Sequence, residues 1–344
     1  MHKNPSSIES TSQKQLAKFV IVTDAHAGQR IDNFLMRELK DVPRPYIYRI
    51  LRKGEVRVNK KRIKQTYKLK LDDSVRIPPV FLPNKSDPQK PPKSLLTILN
   101  SSIILEDENL IFINKPSGMA VHGGSGIRYG LIETFRQLRP ELKFIELVHR
   151  LDKETSGIIM LAKNRQALLA LHDILKIKTN NHPLQKNYQT LVKGHWKGGS
   201  REVQNTLQRR QGKQQKVRVL DQQQKNNGEE GKTAISIFTP IAVFNDTTLL
   251  KVELLTGRMH QIRTQLADLG HPILGDSQYG DFALNREVKK TLGVKRLFLH
   301  AYHLKFRLSI EGKQDSHYNC EIPLADDLLK VINKLETQLK TQRI

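Results

Sequence analysis

The sequence predicts an α+β protein built in two units, on three observations. Apolar, often β-branched runs outnumber helical patterns in the larger part and do not alternate regularly with helices, which favours a mostly antiparallel sheet over a doubly wound one. A polar stretch with four prolines between residues 83 and 94 divides the chain. Ahead of it lies a short basic unit whose apolar residues recur first at helical and then at strand spacing.

The elements follow from those patterns. Residues 1–18 read as a disordered tail, 19–80 as a small domain, 81–98 as an extended linker, and 99–344 as the large domain with a C-terminal helix. In the small domain Ile31, Phe34, Leu35 and Leu39 mark one helix. Ile47, Ile50 and Leu51 mark a second, closed by Gly54, and Val56 and Val58 alternate with polar residues as a strand. In the large domain Ile103–Leu105, Leu110–Ile113, Ile158–Leu161, Ile235–Phe238 and Thr248–Leu255 read as strands. Ile132–Leu138, Gln166–Ile177 and His260–Leu269 read as helices, and Leu328, Leu329, Ile332, Leu335 and Leu339 define the terminal one.

Composition narrows the partner. Lys and Arg number 58 against 34 Asp and Glu, a net charge of +24 and a pI near 10.0. Such an excess repels itself unless a polyanion neutralises it, so nucleic acid is the expected partner. No apolar run approaches the ~18 residues that cross a bilayer, and Met1 to Lys18 lacks the apolar centre of a secretory signal. The single cysteine, Cys320, excludes an internal disulfide and a cysteine zinc site. The expected setting is the cytoplasm, with no membrane contact and no obligate protein partner. No H-E-x-x-H or G-x-S-x-G string occurs, and His300 and His303 sit in a strand-like stretch, so neither a metal site nor a serine hydrolase is expected.

The basic residues are clustered. Arg44, Arg49, Arg52, Lys53, Arg57, Lys60, Lys61 and Arg62 crowd the small domain, where a helix pair and a hairpin can set them along one surface to meet phosphates. The ordered string Gly28-Gln29-Arg30-Ile31-Asp32, Leu51-Arg52-Lys53-Gly54, Val56, Val58-Asn59 resembles the S4 RNA-binding domain over about residues 28–78. That resemblance implies structured RNA rather than DNA.

In the large domain, His149-Arg150-Leu151-Asp152-Lys153-Glu154-Thr155-Ser156-Gly157 concentrates charge between two apolar runs. Such a turn either bonds its own backbone or exposes an aspartate at a cleft mouth. Asn114-Lys115-Pro116-Ser117-Gly118, Lys186-Asn187-Tyr188, Gly231-Lys232-Thr233-Ala234, Thr256-Gly257-Arg258-Met259-His260-Gln261-Ile262-Arg263 and the turn from Gly270 to Gly280 accompany it in order. Together, over about residues 103–310, they resemble the RluA family of RNA pseudouridine synthases.

The resemblance implies a mixed, largely antiparallel sheet with a central cleft, and conversion of uridine to pseudouridine without metal or organic cofactor. It implies Asp152 as nucleophile, Tyr188 as the active-site tyrosine and Arg263 as the partner of the aspartate. It also implies that Arg150 enters the gap left by the flipped base and that Leu299 underlies the base. His149, Lys115, Arg258 and His260 are further expected substrate contacts. A carboxylate kept ionised in a water-poor cleft needs such a cation, because burial alone favours the acid. Met259 and Ser236 stand where relatives usually carry Ser or Thr, and Thr, which bears on substrate rather than reaction. The wording of Gly28–Leu35, Ile47–Lys64 and Val75–Pro79 points to the branch acting on several uridines of large-subunit (23S) ribosomal RNA or its assembly intermediates. The other readings are a synthase acting on another RNA such as tRNA, and a non-catalytic RNA-binding ribosome assembly factor.

Overall fold

A computed structural model describes residues 17–341 apart from 40–41, 43, 80–90, 124–128, 178–182, 210–215, 222 and 225–228. It divides the chain into two compact units, residues 1–90 and 91–344. The expected tail thus lies almost wholly outside the described residues, as does the linker from 81 to 90.

The first unit carries strands β1 (Lys18–Ile21), β2 (Arg57–Val58), β3 (Lys61–Arg62) and β4 (Ser74–Ile77), paired antiparallel in the order β1-β4-β2-β3. Helices α1 (Ile31–Glu38) and α2 (Arg44–Lys53) supply Ile31, Phe34, Leu35, Ile47 and Ile50 to its core, all fully buried. Alternation along the strands then puts Val58 and Val75 inward and the arginines outward.

The second unit opens on a helix rather than on linker: α3 spans Lys93–Ser101. The tandem prolines at 91 and 92 are suited to a helix start, where a missing N–H costs nothing. Leu99 anchors the helix in the core.

Among the described residues eleven strands then form one sheet, β5 (Ile103–Glu106), β6 (Leu110–Lys115), β7 (Glu146–Leu147), β8 (Ser156–Ala162), β9 (Leu184–Lys193), β10 (Arg201–Arg209), β11 (Val217–Val219), β12 (Lys232–Val243), β13 (Thr247–Leu254), β14 (Leu299–Leu308) and β15 (Ser316–Glu321). Their main order is β11-β10-β12-β13-β9-β14-β8-β6-β5, with β15 against β14 and β7 against β8. All pairs are antiparallel except β14 with β8. Among the described residues the further helices are α4 (Leu131–Leu138), α5 (Arg165–Lys176), α6 (Gln261–Asp268), α7 (Phe282–Thr291) and α8 (Asp326–Thr341). One apolar cluster includes Ile113, Phe135, Ile159, Leu266 and Phe298; a second includes Phe112, Met160, Leu171 and Phe306. Among the described residues no helix is long and apolar enough to cross a membrane.

The parallel pair lies near the centre of the described sheet, and one glycine permits it. Gly157, at φ 111°, sits opposite Ala301, and a Cβ there would lie 2.1 Å from the Ala301 carbonyl oxygen. Next to it, Arg296 Nη1 donates to Ser156 Oγ at 3.0 Å, leaving the serine hydrogen for His300 Nδ1 at 2.9 Å. His300 Nε2 then donates to the Pro323 carbonyl at 3.0 Å. Burial holds this histidine down to about pKa 4, so the ring is neutral and fits that one-way chain.

Candidate active site and basic face

Three motifs meet around the loop between β7 and β8. Gly118 N–H donates to the Lys153 carbonyl at 2.8 Å and Ser117 Oγ to the Glu154 carbonyl at 2.6 Å. Ser277 Oγ, from the turn after α6, bonds the Glu154 carboxylate at 3.2 Å. Lys115 is fully buried, and its Nζ donates to the carbonyls of Pro116, Met119 and Lys153 at 3.0, 2.9 and 3.1 Å. Burial pulls this lysine down to about pKa 7, with Asp152 opposing. Lys115 therefore is not the substrate contact expected of it: its three hydrogens clasp the loop that carries Asp152, and it does not line the cleft.

The held loop places Asp152 in a cleft lined also by Arg150, Tyr188, His260, Arg263 and Leu299. The Asp152 side chain retains 17% exposure, while Arg263 is 3% exposed. Arg263 Nη1 lies 3.5 Å from Asp152 Oδ2. Its Nε and Nη2 grip both oxygens of Asp276, at 2.7 and 2.8 Å. Burial alone would lower the guanidinium's pKa, but the bonds with Asp276, followed by the charge of Asp152, raise it. Asp276 is fully buried; burial would raise its pKa, and the Arg263 bonds hold it below the usual carboxylate range. The sequence leaves Asp276 without a role, because a partner thirteen residues from Arg263 becomes visible only when the turn folds back on α6.

A second chain reaches Asp152 from the other side. The Tyr279 hydroxyl accepts the Val217 N–H at 2.8 Å and so has its one hydrogen for His260 Nδ1, 2.9 Å away. Burial lowers the His260 pKa despite Asp152. The neutral ring then carries its hydrogen on Nε2, which is 3.9 Å from Asp152 Oδ2. His260 adopts a left-handed backbone conformation, φ 53°, immediately before α6. The Tyr279 ring also lies 5.1 Å from the Arg263 guanidinium.

Helix α6 is fixed to the sheet by buried polar side chains. Gln261 bonds Thr256 and Ser236 at 2.8 and 2.9 Å, and Ser236 donates to Gln265 at 2.7 Å. Ser236, one of the two departures from the family wording, completes this network with its hydroxyl. Met259, the other, lines the cleft.

Tyr188, on β9, is buried, and burial together with Asp152 raises its hydroxyl pKa, so it is protonated at neutral pH. Leu299 opens β14 opposite Thr190 of the same strand pair. Arg150 is exposed and borders the cleft and two grooves that share lining residues with it. Arg258 lines the cleft while its Nε holds the Thr233 carbonyl at 2.9 Å. His149 differs from expectation: it lines a neighbouring groove, accepts the Met160 N–H at 3.3 Å, and is driven down to about pKa 3 by burial and Lys186. A neutral acceptor committed to β8 is a support for the loop, not a cationic contact. Among the described residues no group of three or more His, Cys, Asp or Glu is arranged to hold a metal ion.

The comparisons with known proteins cover the segments that carry Asp152, Tyr188 and Arg263. The model of the RNA pseudouridylate synthase family matches residues 109–268, and that of the S4 domain residues 29–75. Ribosomal large subunit pseudouridine synthase C of Haemophilus influenzae (strain Rd) is 44% identical over 299 residues, 86% of this chain and 89% of its own. The chain belongs to the RNA pseudouridine synthase family. The proteins of the same description from Escherichia coli K12 and Pasteurella multocida are 44% and 42% identical, over 92% and 94% of this chain and 96% and 95% of theirs. The solved structure described as human RNA pseudouridylate synthase domain containing 4 shares the fold at a TM-score of 0.56 and 21% identity, covering 71% of this chain and 96% of its own. The predicted α+β architecture, with an S4 domain before a largely antiparallel synthase sheet, is therefore the one observed.

In this pseudouridine synthase the S4 unit turns its arginines outward. Phe19, Arg76, Arg57 and Arg62 follow one another across its four strands in register. Arg62 and Arg76 donate to the carbonyls of Lys53 and Glu55, at 2.6 and 2.9 Å, where α2 ends. The helix's negative end thus helps hold like charges side by side. Arg49, Arg52, Lys53, Lys60 and Lys61 are exposed as well, and the side chain of Arg44 lies outside the described residues.

Proposed function

We propose that this chain isomerises specific uridines of large-subunit (23S) ribosomal RNA to pseudouridine, with Asp152 as nucleophile and the S4 unit holding the RNA. The observation that supports it most is the placement of Asp152: partly open to the cleft, 3.5 Å from an arginine that Asp276 fixes. A carboxylate so placed can form and release a bond to carbon. The target base leaves its stack at a cost of a few kcal/mol, and Arg150 at the cleft rim can fill the gap with its planar cation. The base lies between Tyr188 and Leu299. The bond from C1′ to N1 breaks, the base rotates, and C5 joins C1′. C5 loses a proton and N1 gains one, so atoms balance without an oxidant, a reductant or a cofactor. The Tyr188 hydroxyl can pass on that proton.

The relatives described as acting on the large ribosomal subunit cover most of this chain, which supports that RNA as substrate. The test combines pseudouridine mapping in ribosomal RNA and tRNA, with and without the gene, with an Asp152→Asn protein. Asn keeps size and turn bonds but is a poor nucleophile. The variant should fold, bind RNA and form no pseudouridine. Sites lost only from tRNA would overturn the substrate, and full activity in a folded Asp152→Asn protein would overturn the chemistry.

A further inference from the structure

A groove runs beside the catalytic cleft and shares Tyr188, Arg150 and Arg258 with it. Its charged lining is Arg150, Lys176, Lys186 and Arg258, with no Asp or Glu. Lys176 pairs with Asp173 on the outer surface of α5. Lys186 differs from the other three cations. It is 6% exposed, and among the described residues its ammonium has neither an ion pair nor a hydrogen bond but is not among the fully sealed polar atoms, so its tip opens to the groove. Buried lysines are ordinarily paired, because an unpaired charge out of water is costly. Burial, followed by repulsion from another cation, Arg258, draws Lys186 down to about pKa 8. His149 feels Lys186 in turn. The free protein therefore concentrates positive charge here with nothing to answer it.

We infer that this groove is a subsite for a phosphodiester of the substrate RNA, with Lys186 as the cation that receives it. The assignment rests on the reading that the neighbouring cleft acts on RNA. Lys186 and Tyr188 are two residues apart on β9, so their Cα atoms are ~7 Å apart and both side chains leave the same side of the strand. An anion at Lys186 is thus beside the base held at Tyr188, where a backbone linkage of the same strand must pass. A compact ammonium suits a phosphate oxygen approached from any direction, whereas a carboxylate or flat ligand favours an arginine fork. The phosphate would also relieve the Lys186–Arg258 repulsion, so the subsite is completed by substrate.

The test uses the full chain carrying Asp152→Asn, so that RNA is bound without turnover, and an unmodified large-subunit ribosomal RNA transcript. Lys186→Met keeps the side chain's length and removes its charge. Affinity should fall roughly tenfold or more, and the slope of log affinity against log salt should become shallower by about 0.7. The melting temperature should stay the same or rise, because an unpaired buried charge has gone. Lys186→Arg should recover much of the affinity. Wild-type affinity and salt slope in Lys186→Met would overturn the subsite. So would an affinity loss accompanied by a lower melting temperature and not recovered by Arg, which marks a structural lysine. Stabilisation of the parent by free inorganic phosphate, lost in Lys186→Met while RNA affinity is unchanged, would mean a free-anion site and equally overturn it. Pseudouridine formation by the unsubstituted protein is measured on the same transcript: its absence sinks the reading of function, whereas its presence beside an unchanged Lys186→Met sinks the subsite alone.

Discussion

Arg263 gives its two-pronged grip to Asp276, not to Asp152. The Asp276 contacts are 2.7 and 2.8 Å, and the contact to Asp152 is a single nitrogen at 3.5 Å. The arrangement separates two tasks. One carboxylate fixes the cation, and the other is left free enough to react while still feeling its field.

Asp276→Asn should therefore damage catalysis from outside the reacting pair. Turnover should fall by roughly a hundredfold with RNA affinity largely kept. Stability should fall by about 3–5 kcal/mol, since a buried arginine loses its partner. The pH dependence has a definite sign. The folded-state pKa of Asp276 is depressed, so its stabilisation is present above the unfolded value of about 3.9 and is lost as pH falls below it. Acid unfolding of the variant should lack that component. Unchanged turnover and an unchanged acid limb would show that Asp276 does not fix Arg263.

Gly157→Ala should be far more destructive than Gly257→Ala. At position 157 the new methyl meets the Ala301 backbone at 2.1 Å in a left-handed conformation, whereas at 257 nothing lies within 4 Å. The expected result is failure to fold, or a loss of several kcal/mol, for the first, and a change within about 1 kcal/mol for the second. Thermal melts decide it; similar melting temperatures would contradict the close approach of β8 and β14.

Tyr279→Phe should alter the behaviour of His260. The hydroxyl that fixes its tautomer goes, and the Val217 N–H loses an acceptor. In the parent protein burial lowers the His260 pKa, so protonation of this ring should cost turnover only at lower pH than a free imidazole, below about pH 6.5. In the variant the ring is free to reorient, and turnover should drop by roughly tenfold, with a stability loss of about 1 kcal/mol. Wild-type turnover in the variant at neutral pH would show that the chain through Tyr279 does not act on Asp152.

Neutralising Arg57 and Arg62 together, each to Gln, should weaken RNA binding at low salt. The salt slope should become shallower by about 1.4–1.8, according to whether single- or double-stranded RNA is held. Turnover at saturating RNA should be unchanged. A salt slope equal to the parent's would mean that this row of the S4 sheet does not meet phosphate.

How far the sequence reached depends on the range of the interaction in each case. Strand and helix positions such as Ile111–Ile113 and Gln166–Leu175 were legible because period and propensity are local. Helix α3 was not, since the prolines before Lys93 read equally as linker or as helix start until Leu99 finds its pocket. Asp152, Tyr188 and Arg263 were legible as motif residues, and the fold brings all three to one cleft. Lys115 and His149 were motif residues too, but burial turned them from contacts into supports.

The sequence by itself determined the family, the two-unit order, the excess of positive charge and the residue types at the reacting centre, because motif spacing and composition are properties of the chain. Only the tertiary structure decided that Asp276 fixes Arg263, that Tyr279 sets the tautomer of His260, and that Lys186 is buried without a carboxylate. Those depend on which side chains meet across the β9–β14–β8 centre and the turn after α6, and on how much water is excluded there. Neither contact nor dielectric is written in the order of residues along the chain.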